Sequence, residues 1–262
     1  LPETQGIAVC VGLPVMHRGS LFNAVALLVD GKTVGMVAKQ HLAGDGIYYE
    51  PRWFKPWPEG VQATIEHGPS VYPIGDLYFD VGGVCIGFEI CEDAWAASRP
   101  GAGLAERAVD IVLNPSASHF AFGKQAVRER LVIDGSRAFG VTYLYANLLG
   151  NEAGRAIYDG GCMIGSNGRM IALGERLRFE PITMIDAVVD IDDARTQRAQ
   201  LASRVPSTGV DRGVIQVDWA IPKTDRLPTA SDETAQAADW ERADAHQEEE
   251  FTRALTLGLV VR

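Results

Sequence analysis

The densest chemistry in this 262-residue chain lies in Phe88-Glu-Ile-Cys-Glu-Asp-Ala-Trp95. An apolar run ends at Cys91 and turns at once into Glu92 and Asp93, which places the thiol at a strand-to-helix elbow. Such a bend exposes a nucleophile and leaves the next backbone N–H groups free to receive a developing oxyanion. A cysteine with a free pKa near ~8.5 is mostly un-ionised at neutral pH, and the two carboxylates beside it oppose ionisation further, so a compensating cation is required. Lys39 is the best candidate. It closes the apolar strand Gly35-Met-Val-Ala-Lys39 ahead of a polar loop, which directs its ammonium to the strand's C-terminal edge, where α/β sites are built. By spacing alone Lys39 is as readily a solvated strand end. Glu50 follows in Tyr49-Glu-Pro-Arg-Trp-Phe54, and its plain reading is an ion pair with Arg52, with the aromatic neighbours in the core.

The elements that position these groups follow from short β-branched runs bounded by Gly, Pro and Asp. Residues 7–13 form a strand closed by Pro14, and residues 23–29 and 33–38 form a hairpin across Asp30-Gly31-Lys32. Tyr72 to Phe79 and Val81 to Ile90 form a second pair, turned at Asp80. A short helix over 104–108, a buried strand over 111–113, a helix over 124–139 and a strand over 141–146 come next. In the helix over 124–139 the charges fall opposite Val127, Leu131, Ile133 and Ala138. Residues 161–164 and 170–173 pair about Asn167-Gly168, a good hairpin signal. Strands this apolar are covered on both faces, so the class is α/β or a layered α+β fold. After Asp190 the character changes. Residues 201–238, with Pro206, Pro222 and Pro228, are expected to be an extended linker, and residues 239–262 a helix leading into a further domain.

Composition excludes several functions. The 24 Lys+Arg against 34 Asp+Glu leave a net charge of −10, and without a basic block the chain is not expected to bind nucleic acid. No apolar run reaches the ~18 residues of a membrane span. Cys10, Cys85, Cys91 and Cys162 are widely separated, unlike a disulfide scaffold or a zinc site, and fit a reducing, cytoplasmic setting. His41, His67, His119 and His246 lack ligand spacing, so no metal is assigned, and neither Gly-rich phosphate-loop signature occurs. The chain opens at Leu1 without a targeting segment, so an upstream piece is expected.

In these residues the sequence resembles the nitrilase, or carbon–nitrogen hydrolase, superfamily, and within it the glutaminase domain of glutamine-dependent NAD synthetases. The matching pieces are Val11-Gly-Leu-Pro14, Asn23, the segment around Lys39, Glu50-Pro-Arg-Trp-Phe54, Ile90-Cys-Glu-Asp-Ala-Trp95, Asn114-Pro-Ser-Ala-Ser118, Phe122-Gly-Lys124 and Asp159-Gly-Gly-Cys-Met-Ile164. The resemblance implies a nitrilase-like αββα sandwich of two mostly antiparallel or mixed sheets over residues 1–200, entered without its first strand and helix. It implies Cys91 as the nucleophile on the carboxamide of L-glutamine, Lys39 as the oxyanion partner and Glu50 as the group that orients the lysine. Glu92, Trp95, Ser118, Lys124 and Tyr49 correspond to positions lining the glutamine pocket. The general-base glutamate of the family belongs upstream of Leu1, Glu3 lying in the loop that enters the strand. No cofactor is implied for the amidase itself, whereas ATP and Mg²⁺ belong to an ATP-dependent synthetase domain expected beyond Arg262. A homo-oligomer is expected by the same resemblance. Two other functions fit these residues: a stand-alone amidase for another carboxamide, and a catalytically inactive nitrilase-fold module.

Overall fold

The computed structural model describes residues 2–152, 154–200, 213–222, 224–228 and 237–259. The chain divides into two compact units, residues 1–111 with 205–225 and residues 112–204 with 226–262. The class is α/β.

The first unit rests on a five-stranded sheet in the order β1-β2-β3-β5-β4, formed by β1 (Ala8–His17), β2 (Ser20–Val29), β3 (Lys32–Ala38), β4 (Gln62–His67) and β5 (Ser70–Gly75). The unbroken apolar run of β2 is buried from Ala24 to Val29, as expected for a strand covered on both faces. The sheet core gathers Val15, Ala24, Ala38, Trp57 and Ile74. β1 does not stop at Pro14 as expected. It continues to His17, and Pro14 stands opposite Asn23 in the ladder, because an edge strand tolerates a residue with no N–H to donate.

The stretch from Tyr72 to Phe79, expected to be one strand, is two. β5 ends at Gly75, whose φ of +140° lies in the region where L side chains strain, and a Cβ there would sit 2.3 Å from the Val61 carbonyl oxygen. The chain can therefore bend only because this residue is glycine. It re-enters as β6 (Tyr78–Val81), antiparallel to β7 (Val84–Phe88) and parallel to β14 (Val214–Val217). The β6–β7 turn is Gly82-Gly83 rather than Asp80, with φ of +58° and +87°, the signs of a type I′ hairpin. Asp80 serves the turn from outside, accepting from the Gly83 N–H at 2.8 Å. A short helix α1 (Pro100–Glu106) opens on a proline at its first turn, where the missing N–H is not needed. β14 falls within the stretch expected to be linker, of which residues 201–212, 223 and 229–236 lie outside the described residues.

In the second unit β13 (Arg169–Leu173), β12 (Cys162–Ser166), β9 (Thr142–Asn147) and β8 (Ile111–Ser116) lie side by side in that order. A separate hairpin pairs β10 (Leu149–Glu152) with β11 (Ala156–Asp159). Helix α2 (Lys124–Phe139) ends on Gly140 in the left-handed conformation, a common stop signal. Its buried stripe is not the apolar set Val127, Leu131, Ile133 and Ala138 but Arg128, Val132 and Ser136, all fully buried. An arginine occupies the core position because its charge is met there, as described below. Helix α3 (Ile191–Ala199) was not expected from its polar sequence; Asp190 caps it, accepting from the N–H groups of Asp192 and Asp193. The C-terminal helix was expected to begin at Asp239. Instead a 3-10 turn occupies Asp239–Arg242 and helix α4 spans His246–Leu259. Ala254 and Leu257 of α4 pack with Leu177 among Phe120, Leu149, Ile157 and Trp240.

Candidate active site

Lys39 immediately follows β3, and its backbone is fixed on both sides: its N–H donates to Asn23 O, and its carbonyl accepts from Trp57 N–H, each at 2.9 Å. The strand end thus delivers a side chain that is only 2% exposed. It is not a solvated strand end. Glu50, at the start of the 3-10 turn Glu50–Arg52, meets the Lys39 ammonium at 2.5 Å. The same carboxylate accepts from Asn23 Nδ2 at 2.6 Å and from the Ala43 N–H at 2.8 Å. The Glu50 N–H in turn donates to Ala43 O, so the loop between the two residues is closed by both backbone and side chain. Glu50 does not pair with Arg52, which instead stands over the exposed Trp53 ring at 5.4 Å. A buried ammonium survives because a carboxylate faces it, and removing either charge alone is costly.

Cys91 opens the 3-10 turn Cys91–Ala94 just beyond β7, with φ +50°. A non-glycine residue in that region is strained by about 1–3 kcal/mol, and such strain persists only where surrounding contacts fix it. The thiol is half-buried. Asp93 fixes the elbow from within: its Oδ2 accepts from the Ile90 N–H at 3.0 Å. From sequence, Asp93 is expected to oppose thiolate formation. In the structure it is buried and turned towards N–H donors, and burial pushes its carboxyl up while the donors and the Lys39 ammonium pull it back. Just ahead of the elbow Glu89 is fully buried, gripped by the Arg99 guanidinium and by the Gly101 N–H at 2.7 Å. That grip ties the chain just ahead of the elbow to the start of α1. Glu92 and Trp95 share one turn, the Trp95 N–H donating to Glu92 O at 2.9 Å, and both are half-buried. Tyr49 precedes Glu50 and is 36% exposed. Glu3, by contrast, is exposed in the N-terminal 3-10 turn.

The residue types at this site define a chemistry: a half-buried thiol at a strained elbow, a buried ammonium, and a carboxylate that holds the ammonium. The thiol can form a covalent acyl intermediate, and the ammonium can stabilise an oxyanion. The chain matches the carbon–nitrogen hydrolase family over residues 1–199. It belongs to that family. This carbon–nitrogen hydrolase is 34% identical over 233 residues to the glutamine-dependent NAD(+) synthetases of Macaca fascicularis and Homo sapiens, across 84% of its own length and 33% of theirs. The chain therefore spans about a third of the length of the curated relatives it matches. Among solved structures it is similar to a glutamine-dependent NAD(+) synthetase from Cytophaga hutchinsonii, with TM-score 0.64 and 45% identity over 70% of this chain and 30% of that one. A carbon–nitrogen hydrolase from Helicobacter pylori aligns with TM-score 0.57 over 75% of this chain and 66% of that one. At 17% identity that likeness shows the fold alone.

Ser118 and Lys124 of the hydrolase lie in the second unit. Ser118 is 2% exposed, and its hydroxyl already accepts from Arg128 Nη2 at 3.2 Å. The same Arg128 nitrogen donates to the carbonyls of Ser118 and His119, while Nη1 meets Asp159 at 2.5 Å. Asn147 adds a bridge, donating to Asp159 and Ser118 O and accepting from the Ser118 N–H. This network is why α2 buries an arginine. Lys124 begins α2 with its ammonium 3.3 Å from His119 Nδ1; burial, then the charges of Lys124 and Arg128, hold that imidazole below its ordinary pKa. Among the described residues no group of three or more His, Cys, Asp or Glu could hold a metal ion, and no helix is long and apolar enough to cross a membrane.

Asn23, Ala43, Glu89 and Asp93 are the positions whose roles sequence reasoning missed. Asn23 stood among the pieces that carry the resemblance, and Asp93 left a local signal: an acidic residue three positions after the residue that enters a turn commonly reaches back to that residue's N–H.

Proposed function

We propose that this chain hydrolyses the carboxamide of L-glutamine and supplies the ammonia for amidation of deamido-NAD. Cys91 Sγ attacks the amide carbon as its proton passes to a general base, and the oxyanion forms against the Lys39 ammonium and the backbone N–H beyond Cys91. Ammonia departs with a proton, a glutamyl thioester remains on sulfur, and water releases glutamate. Glu50 holds Lys39 in place through the whole cycle. The resemblance of these positions to the family assigns Glu92, Trp95, Tyr49, Ser118 and Lys124 to the recognition of glutamine. A zwitterion is met by a carboxylate for its ammonium, a hydroxyl or cation for its carboxylate and an aromatic wall for its methylenes.

The observation that carries this reading is the buried Lys39–Glu50 pair in the same unit as the Cys91 elbow. The 45% identity to a glutamine-dependent NAD(+) synthetase supports glutamine as the amide. We assign ATP and Mg²⁺ to a synthetase region outside residues 1–262, propose that the protein works as a homo-oligomer, and place it in the reducing cytoplasm, for which four free cysteines speak. Ammonia release from L-glutamine by the complete protein tests the reading, with Cys91→Ala as the control. Release from glutamine that vanishes in the variant is expected. Release from another carboxamide only would identify a stand-alone amidase, and unchanged activity in Cys91→Ala would remove the cysteine from the mechanism.

A further inference from the structure

Asp93 connects two segments that are far apart in sequence. Its side chain is 4% exposed. Oδ1 accepts from the N–H groups of Gln40 at 3.1 Å and His41 at 2.7 Å, and lies 3.2 Å from His41 Nδ1. Oδ2 accepts from the Ile90 N–H at 3.0 Å. One carboxylate therefore ties the two residues that follow Lys39 to the residue that precedes Cys91.

We propose that Asp93 is a positioning residue for amide hydrolysis, setting the place of the Lys39 ammonium relative to the Cys91 thiol through these backbone bonds. The inference rests on the glutaminase reading of the site. Three features favour a positioning role over a purely structural one. The bonds end on the immediate neighbours of the two reacting groups rather than on distant core residues. The elbow they hold carries the positive φ of Cys91, a conformation that needs fixing from outside. Finally, both ends of the carboxylate must accept, which an ionised aspartate does and an asparagine does not.

That last point defines the experiment. Asp93→Asn keeps the volume of the side chain but turns one of its two acceptors into a donor, so either the Gln40/His41 side or the Ile90 side loses its bond. In the complete protein, kcat for glutamine is expected to fall by about 10²-fold, the scale of losing one oxyanion partner, with KM changed less than about threefold. Alkylation of Cys91 by iodoacetamide, a displacement that builds no oxyanion, is expected to keep its rate within a similar factor. A parallel collapse of kcat and alkylation would mean that the elbow itself has lost its shape, and would overturn the positioning role. So would an unchanged kcat. Backbone amide exchange supplies a readout independent of catalysis: faster exchange at Gln40 and His41, or at Ile90, is expected in the variant, and full protection at all three would refute the bonds. If the unsubstituted protein releases no ammonia from glutamine, the glutaminase reading fails and this role fails with it. Ammonia release with an indifferent Asp93→Asn variant refutes the positioning role alone.

Discussion

The Lys39–Glu50 pair sets the energetics of the site, and a double-mutant cycle measures it. The two side chains are 2% and 13% exposed and their charged atoms are 2.5 Å apart. Glu50→Gln keeps the shape of the side chain. With its carbonyl oxygen where Oε2 stood it still accepts from Lys39 and Ala43, and the Asn23 amide can flip to present oxygen to the new NH₂ group. What disappears is the negative charge opposite a buried ammonium, and breaking a buried pair from one side costs about 3–5 kcal/mol. Lys39→Met is gentler, because Glu50 retains its bonds from Asn23 and Ala43; a carboxylate that loses one of three donors costs about 1–3 kcal/mol. The double variant buries neither charge, so its loss should fall short of the summed single losses by about 2–3 kcal/mol. Urea unfolding of the four proteins is the assay, with the slope m unchanged so that midpoints report stability. Additivity within about 0.5 kcal/mol would show that the two groups do not depend on each other, and the electrostatic account of the site would be wrong.

Two further predictions concern the framework. Gly75→Ala puts a Cβ where the Val61 carbonyl oxygen lies 2.3 Å away, at φ +140°, and should lower stability by at least about 1–3 kcal/mol; a melting temperature equal to that of the parent would disprove the bend as a glycine requirement. Glu241, which meets Arg176 at 2.8 Å, has its carboxyl pushed up by burial from the ordinary value of 4.5, against the pull of that arginine. A raised acid holds its proton more tightly folded than unfolded, so its contribution to stability is greatest below the unfolded pKa and declines as pH rises through the folded one. Glu241→Gln should therefore flatten the fall in stability as pH rises from 4.5, as followed by urea midpoints across that window. An undiminished slope would assign the dependence to other groups.

The sequence made the chemistry legible where local pattern and geometry coincide. Cys91 was placed at an elbow because an apolar run stops there abruptly, and its φ of +50° is the backbone form of that stop. The Asn167-Gly168 hairpin was readable for a similar reason: both residues take positive φ, and few residue pairs do so without strain. Lys39 stood open between a solvated end and a functional group, since spacing cannot say whether a carboxylate waits opposite. The answer came from Glu50, 11 residues on, after a loop whose closure onto Ala43 leaves no periodic trace. The glycine at 75 was likewise invisible as a break, because an apolar run reads the same whether it continues in one sheet or leaves it.

The failure at α2 has the same physical root as the Lys39 ambiguity. Apolar periodicity chose Val127, Leu131, Ile133 and Ala138, yet Val127 is 38% exposed and Arg128 is fully buried. A pattern rule treats arginine as solvated, whereas Asp159 and the carbonyls of Ser118 and His119 make this one a core residue. The partners a charge meets, not its hydrophobicity, determine whether it belongs inside. Those partners come from β11 and from the loop after β8, so they converge on Arg128 only once the strands are in place. The same holds for Asp93, whose Oδ1 is met by N–H groups 52 and 53 residues away in the chain. Buried charge at Arg128 and Asp93 is therefore specified partly by partners distant in the chain, and local pattern carries no trace of those bonds.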